Sequence, residues 1–139
     1  MLGVVVILGS MILIFKPFPL SKASQSAAPV TAPVENTKPE TLNGRWVRTD
    51  SDGAYILTIQ GAAAGGKLEA GYFNPNPIHV GQATWRHHNN RILLVVELQD
   101  ENYPGSTYTL QYDPGQDQLT GTYYQAIEGM NFEVAFTRE

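Results

Sequence analysis

Carboxylates are the residues best placed to do chemistry in this sequence. Asp100 and Glu101 are adjacent, and Glu97 lies three residues before Asp100. Two neighbouring carboxyl groups can act as an acid and base pair, or can share a Ca²⁺ ion. Glu97 belongs to the run Arg91–Gln99 (RILLVVELQ), in phase with Leu93 and Val95. The opposite row of that run, Ile92, Leu94, Val96 and Leu98, is uniformly apolar and is the better core face, so Glu97 is expected outside and solvated. Asp50-Ser51-Asp52-Gly53 resembles the opening of a calcium-binding loop, but the twelfth position, where such a loop needs Glu, is Gly61. A hairpin turn suffices there. His87 and His88 are consecutive, and on an extended chain they point opposite ways, a poor chelate. His79 stands alone. No nucleophile elbow or phosphate loop occurs, and no Ser, His and Asp show a telling spacing. The sequence therefore implies no metal and no cofactor. A hydrolase built on Asp100, Glu101 or Glu97 is kept only as a minor reading beside a non-enzymatic one.

Composition narrows the classes further. The chain has 139 residues and a net charge of −4. One domain is expected at that length. Nucleic acid is excluded as a partner, because phosphate binding needs a basic face. Cysteine is absent, which removes a disulfide scaffold, a thiolate nucleophile, cysteine-ligated metal and a lipid-modified N-terminal cysteine. Export needs no disulfide and stays compatible with this.

The elements that must position any site begin late in the chain. Leu2–Phe15 (LGVVVILGSMILIF) is uncharged and apolar throughout. As a helix it reaches roughly 21 Å at ~1.5 Å per residue. That is short for a bilayer core of ~30 Å and suits the apolar region of a signal peptide. Ser21-Lys22-Ala23 and Ser26-Ala27-Ala28 offer small-residue cleavage sites, while Lys16 and Lys22 after the run also allow an uncleaved anchor. Residues 1–20 are thus a signal peptide or membrane anchor. Residues 21–40 (SKASQSAAPVTAPVENTKPE) lack aromatics and any apolar period, and are expected to be a flexible tether. The implied location is exported, either periplasmic or extracellular, or held at the membrane through this segment. Residues 41–139 form the folded domain, in which six Lys and Arg against eleven Asp and Glu leave −5.

From Thr41 onward apolar and polar residues alternate with period two, interrupted by turn residues about every ten positions. The runs are Gly44–Arg48, Tyr55–Gln60, Leu68–Tyr72, Ile78–Arg86, Arg91–Gln99, Thr107–Tyr112, Leu119–Gln125 and Asn131–Arg138. No helical period of any length is present. The fold class is all-β, an antiparallel up-and-down meander of about eight strands. Closing it into a barrel, first strand against last, removes two exposed edges. The phase of the fourth run changes between Ile78–Val80 and Ala83–Trp85, which predicts a β-bulge at Gly81-Gln82.

In such a barrel successive links alternate between the two ends. Asp50–Gly53, Asn74–Pro77 (NPNP), Asp100–Gly105 (DENYPG) and Ile127–Met130 (IEGM) fall at one end. Proline fixes φ and stiffens the residue before it, so NPNP is expected to be a rigid loop presenting Asn74 and Asn76. A hypothetical binding rim at that end comprises Asn74, Asn76, Asp100, Glu101, Asn102, Tyr103, Tyr124 and Gln125. Tyr123 and Tyr124 face opposite sides of their strand, so one of them is expected to be exposed or at the mouth.

Gly44-Arg45-Trp46 at the head of a meander resembles the calycin group, lipocalins and avidins, as do GGKLEAGYF (65–73) and QDQLTGTYY (116–124). The resemblance implies the barrel shape and an open mouth. With Trp46 and Trp85 as the only tryptophans, it does not imply biotin. YFNPNPI and ELQDENYPGSTYTLQYD are similar to an uncharacterised group of exported bacterial proteins. The expected function is a barrel binding a small apolar or mixed ligand. The alternative is a structural or interaction domain of the cell envelope with a filled bore. Oligomeric state is not legible from the sequence.

Overall fold

The computed structural model describes residues 37–139. The apolar run and residues 21–36 of the linker lie outside the described residues. A short 3-10 turn, Pro39–Leu42, is followed by nine strands: β1 (Gly44–Arg48), β2 (Ile56–Gln60), β3 (Glu69–Asn74), β4 (Asn76–Ile78), β5 (Val80–His88), β6 (Arg91–Asp100), β7 (Tyr103–Asp113), β8 (Gln118–Gln125) and β9 (Met130–Arg138). No helix among the described residues is long and apolar enough to cross a membrane.

All nine strands belong to one antiparallel sheet, in the order β4-β3-β2-β1-β9-β8-β7-β6-β5. The first strand seals against the last, with Trp46 opposite Arg138 and Arg48 opposite Phe136. The result is a nearly closed up-and-down barrel, compatible with a calycin-like fold. What remains open is a seam between the two halves of the expected fourth strand. That strand is divided at His79. Its first part, β4, pairs with β3, and its second part, β5, pairs with β6. The His79 N–H donates to the Asp100 carboxylate (2.8 Å) and its carbonyl accepts from the Gln99 N–H (2.9 Å). The residue at which the chain changes neighbours is therefore fully bonded. Across the seam, a bridge between Lys67 and Thr84 and a bond from the Trp85 N–H to the Gly66 carbonyl (2.9 Å) join β5 to the approach to β3. The expected bulge is present, since the register shifts between Val80 and Gln82.

Two link regions differ from expectation. NPNP, expected as a rigid loop, is a tight turn within the ladder. Asn74 already pairs with Asn76 around Pro75, and Pro77 lies opposite Phe73 in the ladder. Proline is tolerated in β4 because this short strand is at the end of the sheet order. Similarly, β5 continues to His88, which pairs with Arg91. Asn89 and Asn90, at φ 49° and 60°, make a two-residue turn of the kind whose twist matches flanking strands.

The inward rows fill the bore. Trp46, Leu57, Leu94, Val96, Leu98, Tyr108, Leu110, Leu119 and Phe136 have no exposed surface. Full burial of one aliphatic side chain is worth about 1.5–3 kcal/mol. Glu97 faces outward, as expected, and accepts from the Gln99 amide.

One end of the barrel is tied shut around Arg138. Its Nε and Nη2 donate to the two Asp117 oxygens (2.8 and 3.0 Å), while Nη1 and Nη2 reach the carbonyls of Asn43 and Thr41 (2.8 and 2.6 Å). The guanidinium lies 4.1 Å from the Trp46 ring centroid, and the Trp46 indole N–H donates to the Leu42 carbonyl at 2.9 Å. Gly44 makes room for this arrangement. A Cβ at that position would meet Arg138 Nη1 at 2.6 Å, and its φ of +147° is rarely adopted by other residues. The Gly-x-Trp spacing thus joins a vacancy for Arg138 to the ring it covers. Gly121 is required for a different reason, because a Cβ there would come within 2.0 Å of the Thr109 carbonyl on β7. Gly44→Ala and Gly121→Ala should each lower stability by about 1–3 kcal/mol or more, read as a drop in the urea midpoint of the full chain.

Candidate functional site

The odd-numbered links expected to share one end do so. The strands that flank them end around a single recess with a volume of about 200 Å³. Arg48 and Tyr55 come from either side of the first link, and Asn74 from the turn into β4. Tyr103 follows the β6–β7 turn, and Gln125 and Phe132 flank the β8–β9 turn. Tyr72 and Tyr123 complete the wall. Each is the last inward-facing residue of its row, or next to it.

A polar chain runs across the floor. Arg48 Nε and Nη2 donate to the two oxygens of Asp50 (2.6 and 2.7 Å), and Nη1 donates to the Tyr108 hydroxyl (3.3 Å). The Tyr108 and Tyr72 hydroxyls share a hydrogen bond of 2.8 Å, deep in the barrel. Arg48 also lies over the Tyr55 ring, 4.6 Å from its centroid. Nearer the rim, the Asn74 amide donates to the Tyr103 hydroxyl at 2.6 Å, tying the NPNP turn to the DENYPG turn. Tyr108 stacks on Tyr123 with centroids 4.5 Å apart, and Tyr123 stacks on Phe132 at 6.5 Å.

These contacts set the ionisation states. The Arg48 guanidinium beside Asp50 holds that carboxyl below its ordinary value of 3.8, and the carboxylate in turn raises Arg48. Burial pushes the Tyr108 phenol up to about 12, with its hydrogen bonds to Tyr72 and Arg48 acting in the opposite direction. Burial likewise raises Tyr72 far above the usual phenol value and raises Tyr123, against a hydrogen bond with Ser106. At neutral pH Tyr72, Tyr108 and Tyr123 are therefore protonated, and Arg48 and Asp50 form a charge-neutral pair.

The rim residues expected from the sequence separate into two groups. Asn74, Tyr103 and Gln125 line the recess. Asn76, Glu101 and Asn102 are exposed outside it. Asp100 is also exposed, and its two oxygens accept from the backbone N–H groups of His79 and Glu101, both at 2.8 Å. Tyr124 lies opposite Asn131 on the outer wall and is 40 % exposed, whereas Tyr123 points inward. Arg48, Tyr55, Tyr72 and Phe132 were not foreseen as lining residues, and of the tyrosine pair it is Tyr123, not Tyr124, that lines the recess. The available signal was phase: Arg48 shares the inward parity of Trp46, and a cation in an apolar row marks a place where the core gives way to a polar floor. At the opposite end, a shallower groove of about 430 Å³ runs between Pro39, Ala64, Trp85 and His87. Among the described residues, no group of three or more His, Asp or Glu side chains could hold a metal ion.

No family model matches this chain, and neither a curated protein nor a solved structure matches it significantly.

The Arg48–Asp50 pair has a pH signature. A carboxyl whose folded value is depressed contributes stability that is complete above its unfolded value and is lost as pH falls through the folded one. Asp50→Asn should therefore flatten the acid limb. Between pH ~5 and ~2, wild type is expected to lose more of its urea midpoint than the variant does. The difference will be modest, since the Asp50 side chain is 55 % exposed and solvent screens the pair.

Proposed function

We propose that this protein is a non-enzymatic barrel of the calycin kind that takes a small ligand of mixed polarity at its tyrosine-lined mouth. It works as an exported or membrane-tethered module, its apolar N-terminal run serving as signal or anchor. The single observation that carries the reading is convergence. Four separate links bring Arg48, Asn74, Tyr103 and Gln125 to one concavity walled by aromatic rings. Ligand sites characteristically combine an apolar lining with a few convergent polar groups. The cross-link from Asn74 to Tyr103 holds two of those polar groups in place before a ligand arrives, which lowers the entropic cost of binding.

A second reading rests on a different observation. The middle of the bore is solid with side chains, and Tyr124, Ile127, Met130 and Phe132 leave an apolar patch around the β8–β9 turn, exposed by 38–60 %. That combination suits an interaction domain of the cell envelope that meets its partner through loops and outer wall.

A thermal-shift screen of the full-length protein against lipids, vitamins and saccharides separates the two. A ligand present at a hundred times its Kd adds about 2.7 kcal/mol to the native state, which for a domain of this size raises Tm by about 10 °C or more. Such a shift, reduced in Tyr103→Phe and in Gln125→Ala, is the expected result. No shift with any class removes the ligand-binding reading and leaves the interaction domain.

A further inference from the structure

Counting hydrogens in the recess gives an inventory that favours one class of ligand. An arginine carries five N–H donors. Asp50 takes two from Arg48 and Tyr108 takes one, so two remain. Tyr72 and Tyr108 carry one hydroxyl hydrogen each, and their mutual bond uses only one of the two. The Tyr103 oxygen accepts from Asn74 and retains its own hydrogen, as the Asn74 amide retains its second. The recess thus keeps several free donors, and its acceptors are likewise neutral oxygens, the amide oxygens of Asn74 and Gln125 and the hydroxyls of the lining tyrosines.

Charge and shape restrict the choice further. Both oxygens of Asp50 face Arg48, so the one cation lining the recess is already neutralised. An anionic ligand would gain donors but would also approach the Asp50 carboxylate, in a domain that is acidic as a whole. A cationic ligand would find no carboxylate in the lining, and Asp50 is already engaged by Arg48. The Phe132 ring, stacked on Tyr123 within 27° of parallel and 38 % exposed, offers an apolar surface to one side of the cavity. A volume of about 200 Å³ corresponds to roughly six or seven waters at ~30 Å³ each, below the ~300 Å³ at which drug-sized sites begin.

We infer that the recess takes an uncharged, oxygen-rich ring of about one pyranose unit. Its ring oxygen and hydroxyls accept from Arg48, Tyr72 and Tyr103, and its C–H face lies on Phe132. This assignment rests on the mouth being a ligand site at all, and it adds the class of ligand.

Amide-resolved NMR titration of the isotope-labelled full-length protein tests it. The probes are methyl glycosides of several hexoses, benzoate as an anion of similar size, and cyclohexylamine as a cation. At least one glycoside should give saturable shifts at the amides of Asn74, Tyr103, Gln125 and Phe132. Its Kd should be about threefold to tenfold weaker in Tyr103→Phe, the loss of one hydrogen bond, while Gln125→Ala gives a second readout should Tyr103→Phe disturb the rim. Saturable binding of benzoate or cyclohexylamine at these amides, with none by any glycoside, overturns the sugar assignment and keeps the mouth as a ligand site. No saturable shift there with any of the three classes overturns both.

Discussion

The pairing of β1 with β9 is the constraint from which the rest of the domain follows. Backbone N–H and C=O groups cannot be buried without partners, and a meander left flat would expose two strand edges. Joining Gly44–Arg48 to Met130–Arg138 removes both terminal edges at once and fixes which side of every strand is inside. Trp46 and Phe136 are then both fully buried, Trp46 edge to face with Tyr112 at 6.1 Å and Phe136 with Tyr108 at 5.4 Å. Arg138 secures the joint by reaching from the last strand to the carbonyls that precede the first. The recess is the remainder of this closure. It forms where the inward rows run out of aliphatic residues and continue as Arg48, Tyr55, Tyr72 and Phe132.

His79 introduces the one interruption in the wall. A single run of chain serves two neighbours, β3 before the histidine and β6 after it. The geometry requires a bend, and Gly81 takes the extra residue just beyond it. Asp100 has a part in that bend. Its carboxylate satisfies one backbone N–H of the kinked segment and another of its own turn, which holds its pKa low. A carboxylate so engaged is a structural acceptor for the turn.

Much of this architecture was legible in the residue pattern. Alternation in YILTIQ, RILLVVELQ and NFEVAFTR identified the strands and their inner rows. The change of phase after Val80 located the bulge. The alternation of links predicted which turns would meet. Legibility failed where long-range geometry decided. Nothing local indicates that His79 exchanges one neighbouring strand for another, so eight strands were expected where nine are found. The compactness of NPNP was also hidden, because two prolines suggest a loop outside the ladder unless the pairing of Asn74 with Asn76 is known. For the site, the links identified the correct end but overstated their own share of it. Exposed turn residues such as Asn76 and Asn102 attract attention by type. The lining comes chiefly from strand-end tyrosines, whose inward direction is a matter of parity.

The clasp around Arg138 also determines how the domain would respond to force. Residues 37–42 join the barrel beside Asn43 and Asp117, at the pole farthest from the recess. Tension arriving along the preceding chain is therefore delivered first to the Thr41 and Asn43 carbonyls and their guanidinium, and then to the root of β1. The strand ends that line the recess lie at the opposite pole, so the first contacts to meet such a pull are not those that shape the opening.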